Sequence, residues 1–387
     1  MIYLDNAATS YPKPKQVYDF MHKFYQNHGG SPGRSGHDLA LESDEIVYET
    51  RKLLTDFFNG ENPNHLTFSY NASDSLNMVI GGLMSQGDHV ITTTLEHNSV
   101  LRPLYHKEMD GIIEVTYVPF DSKGYIDPDD IKKAIKSNTK TVIVNHGSNV
   151  IGTVQPISEI GKICRELGIY FIVDASQTAG TQKIDVQEMN IDVLVFTGHK
   201  SLMGPTGIGG SYIREGVPIR VTRFGGTGVN SAQRTHLEEC PYRFECGTLN
   251  IVGVSGLYEG QRWIRKKGLA KIHQSEIALW DRLRKGLQNI DGVVTYCADG
   301  IENRNPVLSF NVKGWEALDV GSFLDVDYNI ACRTGLQCAP LVHEQLGTHK
   351  IFGTVRLSLG PFNTIKDIDT AVEAVREISK MRKSKTF

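Results

Sequence analysis

Asp174 and Lys200 are the residues around which chemistry can be built in this chain. Asp174 closes the run Gly168-Ile169-Tyr170-Phe171-Ile172-Val173, continuously apolar and rich in β-branched residues, and so reads as the carboxyl end of a strand buried on both faces. A second such run, residues 191–196, gives way to Thr197, Gly198, His199 and Lys200, followed by Gly204-Pro205-Thr206-Gly207. Ligands of open α/β sheets collect beyond the carboxyl ends of the strands. A carboxylate and an amine delivered to that rim by neighbouring strands suit pyridoxal phosphate: the amine condenses with its aldehyde, and the carboxylate keeps its ring nitrogen protonated.

Other segments add candidates of matching type. Tyr70-Asn71-Ala72-Ser73-Asp74-Ser75 opens a helix, and the bare N–H groups and positive dipole end of a helix start make an anion site. His97 follows Glu96 directly after a strand. Asn149 lies in Asn145-His146-Gly147-Ser148-Asn149, and Thr248 in Arg243-Phe244-Glu245-Cys246-Gly247-Thr248. Arg356 sits on the last strand, residues 354–358. Between the final strands runs Cys332-Arg333-Thr334-Gly335-Leu336-Gln337-Cys338-Ala339-Pro340, whose glycine and proline make it a loop that can expose a thiol.

Together with Tyr3-Leu4-Asp5-Asn6-Ala7-Ala8, these motifs resemble the class V, fold-type I pyridoxal-phosphate enzymes, and within them the cysteine desulfurase and selenocysteine lyase family. The resemblance implies roles residue by residue. Lys200 carries the cofactor and acts as base, Asp174 meets the ring nitrogen, and His97 stacks on the ring and shuttles protons. Asn149 and Gln177 meet the phenolic oxygen. Thr197 and His199, with the helix start at Ala72 and Ser73, hold the phosphate. Relatives begin that turn with Gly-Thr-Thr-Glu, so Ala72 lacks one hydroxyl and the backbone and Ser73 must serve.

Arg356 would clamp the substrate carboxylate as a bidentate pair, with Asn149, Arg333 and His37 in substrate contact. His37, with Arg34 beside it in a glycine-rich loop, and Thr248 are expected to reach the partner subunit's cofactor, which implies a homodimer. Cys338 fits the pattern Arg-x-Gly-x-x-Cys-Ala, whose cysteine attacks the sulfur of substrate L-cysteine and holds it as a persulfide until an acceptor protein removes it. Leu336 and Gln337 stand where compact-loop relatives often have histidines. The same scaffold carries aminotransferases, selenocysteine lyases acting on L-selenocysteine and β-eliminating lyases, and a non-catalytic sulfur carrier is a further alternative; these stay open on the residues alone.

The elements that must position these groups follow from pattern. Strands at 66–69, 90–93, 113–118, 141–144, 168–173 and 191–196 alternate with helices, an order that predicts a mainly parallel sheet, and the resemblance implies that this sheet has seven strands. Residues 15–260 read as a large cofactor-binding domain. Residues 1–14 and 261–387 read as a smaller α+β domain with long helices to 264 and over 269–287, then strands near 292–295 and 307–312. A chain of 387 residues supports that division.

Composition narrows the function classes. The 41 basic and 44 acidic residues nearly cancel, which argues against a nucleic-acid surface. No apolar run approaches ~18 residues and no basic-then-apolar leader opens the chain, so a cytoplasmic protein without a membrane span is expected. The six cysteines lack paired CxxC spacing and read as free thiols, with no metal site.

Overall fold

The computed structural model describes residues 1–33 and 37–381. The expectation for Arg34 lies outside those residues. β1 (Ile2–Tyr3) is followed by two prolines that postpone α1 to Lys15–His28, because proline lacks the helical N–H donor. α2 (Asp38–Phe57) starts at His37, whose Nδ1 accepts the Ala40 N–H at 3.3 Å.

Strands and helices then alternate: β2 (Leu66–Ser69), α3 (Ala72–Leu83), β3 (Asp88–Thr93), α4 (Asn98–Met109), β4 (Ile113–Val118), α5 (Pro128–Lys133), β5 (Thr139–Asn145), α6 (Ile157–Glu166), β6 (Tyr170–Asp174), β7 (Val193–Thr197) and β8 (Gly209–Ile213). The order across the sheet is β2-β8-β7-β6-β5-β3-β4, parallel throughout except where β8 meets β2 and β7. This is the expected seven-stranded, mainly parallel sheet. Val142, Val144, Phe171, Val173, Leu194 and Phe196 enter the core on one face, while Ile143, Ile172, Val193 and Val195 enter the core on the other. With both faces covered, period-two alternation disappears and each strand reads as a solid apolar run.

Among the elements that the sequence reading does not contain are β8 and α4. β8 went unread because it opens with two glycines. A Cβ on Gly209 would stand 2.8 Å from the Asn71 Cα, and one on Gly210 would stand 2.3 Å from the Thr67 carbonyl oxygen. Glycine is therefore what lets β2 and the start of α3 close on this strand. α4 was hidden by Pro103, which lies inside the helix although Val100, Leu101 and Leu104 keep apolar helical spacing.

The chain continues through α7 (Ile251–Lys267), α8 (Leu269–Gln288), β9 (Val293–Thr295), β10 (Val307–Val312), α9 (Ala317–Val326), β11 (Ile330–Ala331), β12 (Arg333–Gly335), α10 (Pro340–Gln345), β13 (Thr354–Ser358) and α11 (Ile365–Lys380). A four-stranded antiparallel sheet, β12-β13-β10-β9, packs with α8, α9 and α11 around Trp280, Leu308, Phe310 and Leu357. β1 pairs in parallel with β11, Asp5 bridges to Ser358, and Leu4 enters this second core. The first residues of the chain thus stand beside the last strand. Among the described residues no helix is long and apolar enough to cross a membrane.

Candidate active site

The parallel register aligns Asn145 with Asp174 and Asp174 with Val195, so β5, β6 and β7 end along one rim with Asn145, Asp174 and Thr197. Beyond Thr197 the chain turns sharply. Gly198 donates to the Ile208 carbonyl at 2.9 Å, and a Cβ there would stand 2.7 Å from the Ile208 side chain. The backbone that carries Lys200 is gripped by the N-terminal segment. The His199 carbonyl accepts from the Ser10 N–H at 3.1 Å and the Thr9 hydroxyl at 3.0 Å, and Ser10 Oγ donates to the Lys200 carbonyl at 2.8 Å. Lys13 Nζ joins this grip at Ser10 Oγ (2.6 Å) and the His199 carbonyl (2.5 Å), and burial among neutral oxygens brings its amine down to about 7.

The rim opens on a cavity of about 470 Å³. Ala72, Ser73, His97, Asn149, Asp174, Gln177, Thr197, His199, Lys200, Arg333, Cys338 and Arg356 all line it. Burial brings Lys200 down to about 8, against the pull of Asp174, so a large share of the amine is neutral near pH 8. Asp174 Oδ1 accepts from the Ser176 N–H at 2.9 Å and its hydroxyl at 2.5 Å, which leaves Oδ2 without a hydrogen-bond partner among the described residues. His97 caps α4, with Nδ1 accepting the Ser99 N–H at 3.1 Å, so its proton belongs on Nε2. Burial first, then the Lys200 ammonium, holds His97 at about 4, and His199 is held at about 4 by burial and the same lysine. Both rings are neutral at pH 7.

Behind His97, Glu96 is fully buried and accepts from the Thr93 hydroxyl at 2.7 Å and the Asn145 N–H at 2.9 Å through one oxygen. Burial raises it to about 8 despite those bonds, so it is a neutral acid beneath the floor of the site.

Arg356, only 3 % exposed, donates through Nη1 to the Asn149 carbonyl at 2.9 Å and through Nη2 to Asp5 Oδ1 at 2.8 Å. Its Nε is buried with no partner. Arg333 reaches the other oxygen of Asp5 at 3.2 Å. A guanidinium with one edge occupied and a donor left open can take a further carboxylate. Cys338 is exposed on the lining, in a loop fixed by a bond from Asn149 Nδ2 to the Gln337 carbonyl at 2.7 Å.

The remaining candidates have the following surroundings. Gln177 donates its amide nitrogen to the Ala7 carbonyl at 3.0 Å, and Asn149 gives an N–H to the Gln337 carbonyl, leaving its Oδ1 unpaired. His37 is exposed at the start of α2, and Thr248 lines a separate cavity of about 590 Å³ with Arg51 and Glu245; neither lines the cavity that holds Lys200. Sequence reading gave no role to Asp5, Lys13, Glu96 or Ser99. An acid closing the first strand was visible in the Asp5-Asn6-Ala7-Ala8 motif, but nothing local named its partner, 351 residues away.

The sequence profile of the family described as Aminotransferase class-V matches residues 2–371. A probable cysteine desulfurase of Pyrococcus abyssi is 35% identical over 391 residues, covering 99% of this chain and 96% of that protein. A cysteine desulfurase of Yersinia pseudotuberculosis is 31% identical, covering 98% and 94%. Among solved structures, an apo cysteine desulfurase from Thermococcus onnurineus superposes with a TM-score of 0.92 at 36% identity, covering 98% of this chain and 94% of that one. A cysteine desulfurase from Escherichia coli does so with a TM-score of 0.86 at 26% identity, covering 97% and 94%.

Proposed function

The chain belongs to the class V aminotransferase family, and on that premise we propose that it is a pyridoxal-phosphate-dependent cysteine desulfurase, converting L-cysteine to L-alanine while Cys338 takes the sulfur as a persulfide. The observation that carries this reading is an exposed thiol, Cys338, on the lining of the cavity that also holds Lys200, Asp174 and Arg356.

The polar groups left unpaired fit the cofactor. Thr197 Oγ1 and His199 Nδ1 are buried without partners beside the start of α3, which suits a phosphate. Asp174 offers a carboxylate oxygen for a protonated ring nitrogen, and Lys200 offers an amine for the aldehyde. Bound there, pyridoxal phosphate supplies an electron sink for the substrate's α-carbon.

The protein's own groups account for the rest. Arg356 holds the substrate carboxylate through its open edge, with Asp5 balancing the charge. Lys200, with its amine near 8, takes the α-proton and later returns it. His97, neutral at pH 7, presents its Nε2 proton on the lining. The Cys338 thiolate attacks the substrate sulfur as the carbon–sulfur bond breaks: the sulfur is oxidised to the persulfide level, the β-carbon is reduced, and protonation releases alanine. The persulfide then passes to an acceptor thiol. We further assign His37 and Thr248 to the second subunit's site in a cytoplasmic homodimer.

The test is to incubate the holoenzyme with L-cysteine and a reductant and to measure sulfide and alanine together, beside Cys338→Ala. Equal amounts of both products, lost in the variant, are expected. Products from both forms would point to elimination without a persulfide, and alanine-linked amino transfer without sulfide would point to an aminotransferase.

A further inference from the structure

Gln337 stands immediately before the thiol, at one of the two positions where compact-loop relatives often have histidines. Its side chain does something else. It is only 8 % exposed on the wall of the same cavity, and Nε2 donates to the Thr354 carbonyl at 2.9 Å and approaches the Thr354 hydroxyl at 3.2 Å. Thr354 is fully buried at the start of β13. Gln337 and Cys338 both have left-handed backbone, with φ of 44° and 58°, a conformation that residues with a Cβ adopt at a cost and keep only when the surroundings fix it.

The fixings are on three sides. Asn149 Nδ2 donates to the Gln337 carbonyl at 2.7 Å, the Asn98 N–H donates to the Cys338 carbonyl at 2.7 Å, and the Gln337 amide ties the turn to β13. Below the turn, a Cβ on Gly353 would come within 2.2 Å of the Gly335 carbonyl oxygen, so the strands flanking the loop touch backbone to backbone. The anchors are also the carriers of the site. Thr354 lies two residues before Arg356 on β13, Asn98 follows His97, and the carbonyl of Asn149 accepts from Arg356.

We propose that Gln337 is the positioning residue of the nucleophile: by tying the left-handed turn to Thr354 it holds the Cys338 thiol at a set distance from the Arg356 clamp, so that a substrate gripped by its carboxylate presents sulfur to the thiol. The inference rests on the desulfurase reading above for its consequence, but not for its geometry. It assigns Gln337 no proton-transfer role.

Gln337→Met keeps length and backbone preference and removes both ends of the Thr354 contact. Gln337→Gly removes the contact and makes the left-handed turn easy. In cofactor-free protein, alkylation of Cys338 by iodoacetamide, followed on its peptide by mass spectrometry, is expected to speed up severalfold in both variants. In the holoenzyme, kcat for sulfide release should fall about tenfold, the scale of one or two lost buried hydrogen bonds. Exchange of the α-hydrogen of L-alanine in D2O uses Lys200 and Arg356 but not the thiol, and should stay within about twofold of the wild type.

Unchanged alkylation in both variants overturns the inference. So does a parallel fall in sulfide release and alanine exchange, because that marks general damage to the fold. A wild-type enzyme that exchanges alanine but yields no sulfide from L-cysteine would sink the desulfurase reading, and the alkylation comparison would then decide the positioning role alone.

Discussion

Replacing Asp5 by asparagine separates two effects that its carboxylate has on Arg356. The charges meet at 2.8 Å with Arg356 almost fully buried, and charge centres about 4 Å apart attract by about 4 kcal/mol at an effective dielectric constant of 20. Arg333, half exposed, adds less than about 1 kcal/mol through its own contact. Asparagine keeps an oxygen in place to accept from Nη2, and the desolvation of the carboxylate is recovered. The net loss of stability should therefore be about 2–3 kcal/mol.

For a chain of this size that lowers the midpoint of thermal unfolding of cofactor-free protein by about 3 °C. Binding should move the other way. A substrate carboxylate entering the open edge of Arg356 meets the repulsion of Asp5 in the wild type but not in Asp5→Asn. At about 6 Å across a partly hydrated site that repulsion is about 1 kcal/mol, or roughly fivefold in affinity. The assay is a titration of the holoenzyme with L-alanine, followed by the cofactor absorbance, beside a thermal unfolding series. Lower stability with tighter alanine binding is the expected pair. Weaker binding would refute the reasoning, since Asp5 would then be orienting Arg356 rather than neutralising it.

Other outcomes follow from the same geometry. Arg356→Lys loses the planar fork, and alanine affinity should drop by about tenfold to a hundredfold. Uptake of pyridoxal phosphate by cofactor-free protein needs a neutral Lys200, so its rate should rise about tenfold per pH unit below 8 and level off above, as stopped-flow absorbance can record. Glu96 stays protonated to about 8 when folded but ionises near 4.5 when unfolded, so the folded state holds the extra proton across that interval and stability falls as pH climbs through it. Glu96→Gln should match the wild type at pH 5 and exceed it at pH 8 in urea unfolding. A variant that tracks the wild type at both values would mean that Glu96 is ionised in the fold.

The rim of the site was legible because parallel strands announce themselves: an apolar run that stops at a polar residue marks its own carboxyl end, as at Asp174 and Thr197. The helix start at Asn71 was legible for a similar local reason, a capping side chain that accepts the Asp74 N–H at 3.0 Å. What escaped were features set by distant partners. The glycines of β8 report the nearness of Asn71 and Thr67, which no window around residue 209 contains. Nor does the sequence near Gln337 reveal that its amide is satisfied by Thr354, which decides whether it serves the thiol or the backbone. Lys13 lies between Pro12 and Pro14 ahead of α1, and its burial against the His199 carbonyl comes only from the closing of the N-terminal segment over the site.

That closing has a consequence for how the protein comes into being on the ribosome. Asp5 emerges early, yet Arg356 follows 351 residues later, which at translation speeds of 5–20 residues per second is a wait of roughly 20–70 s. β1 has no strand to pair with until β11 and β13 appear, so the first residues must stay unpaired while the seven-stranded sheet assembles. A nascent chain stalled before β13 would have the Lys200 rim and the thiol but not the arginine, and the ability to bind a substrate carboxylate is acquired only when synthesis is nearly complete.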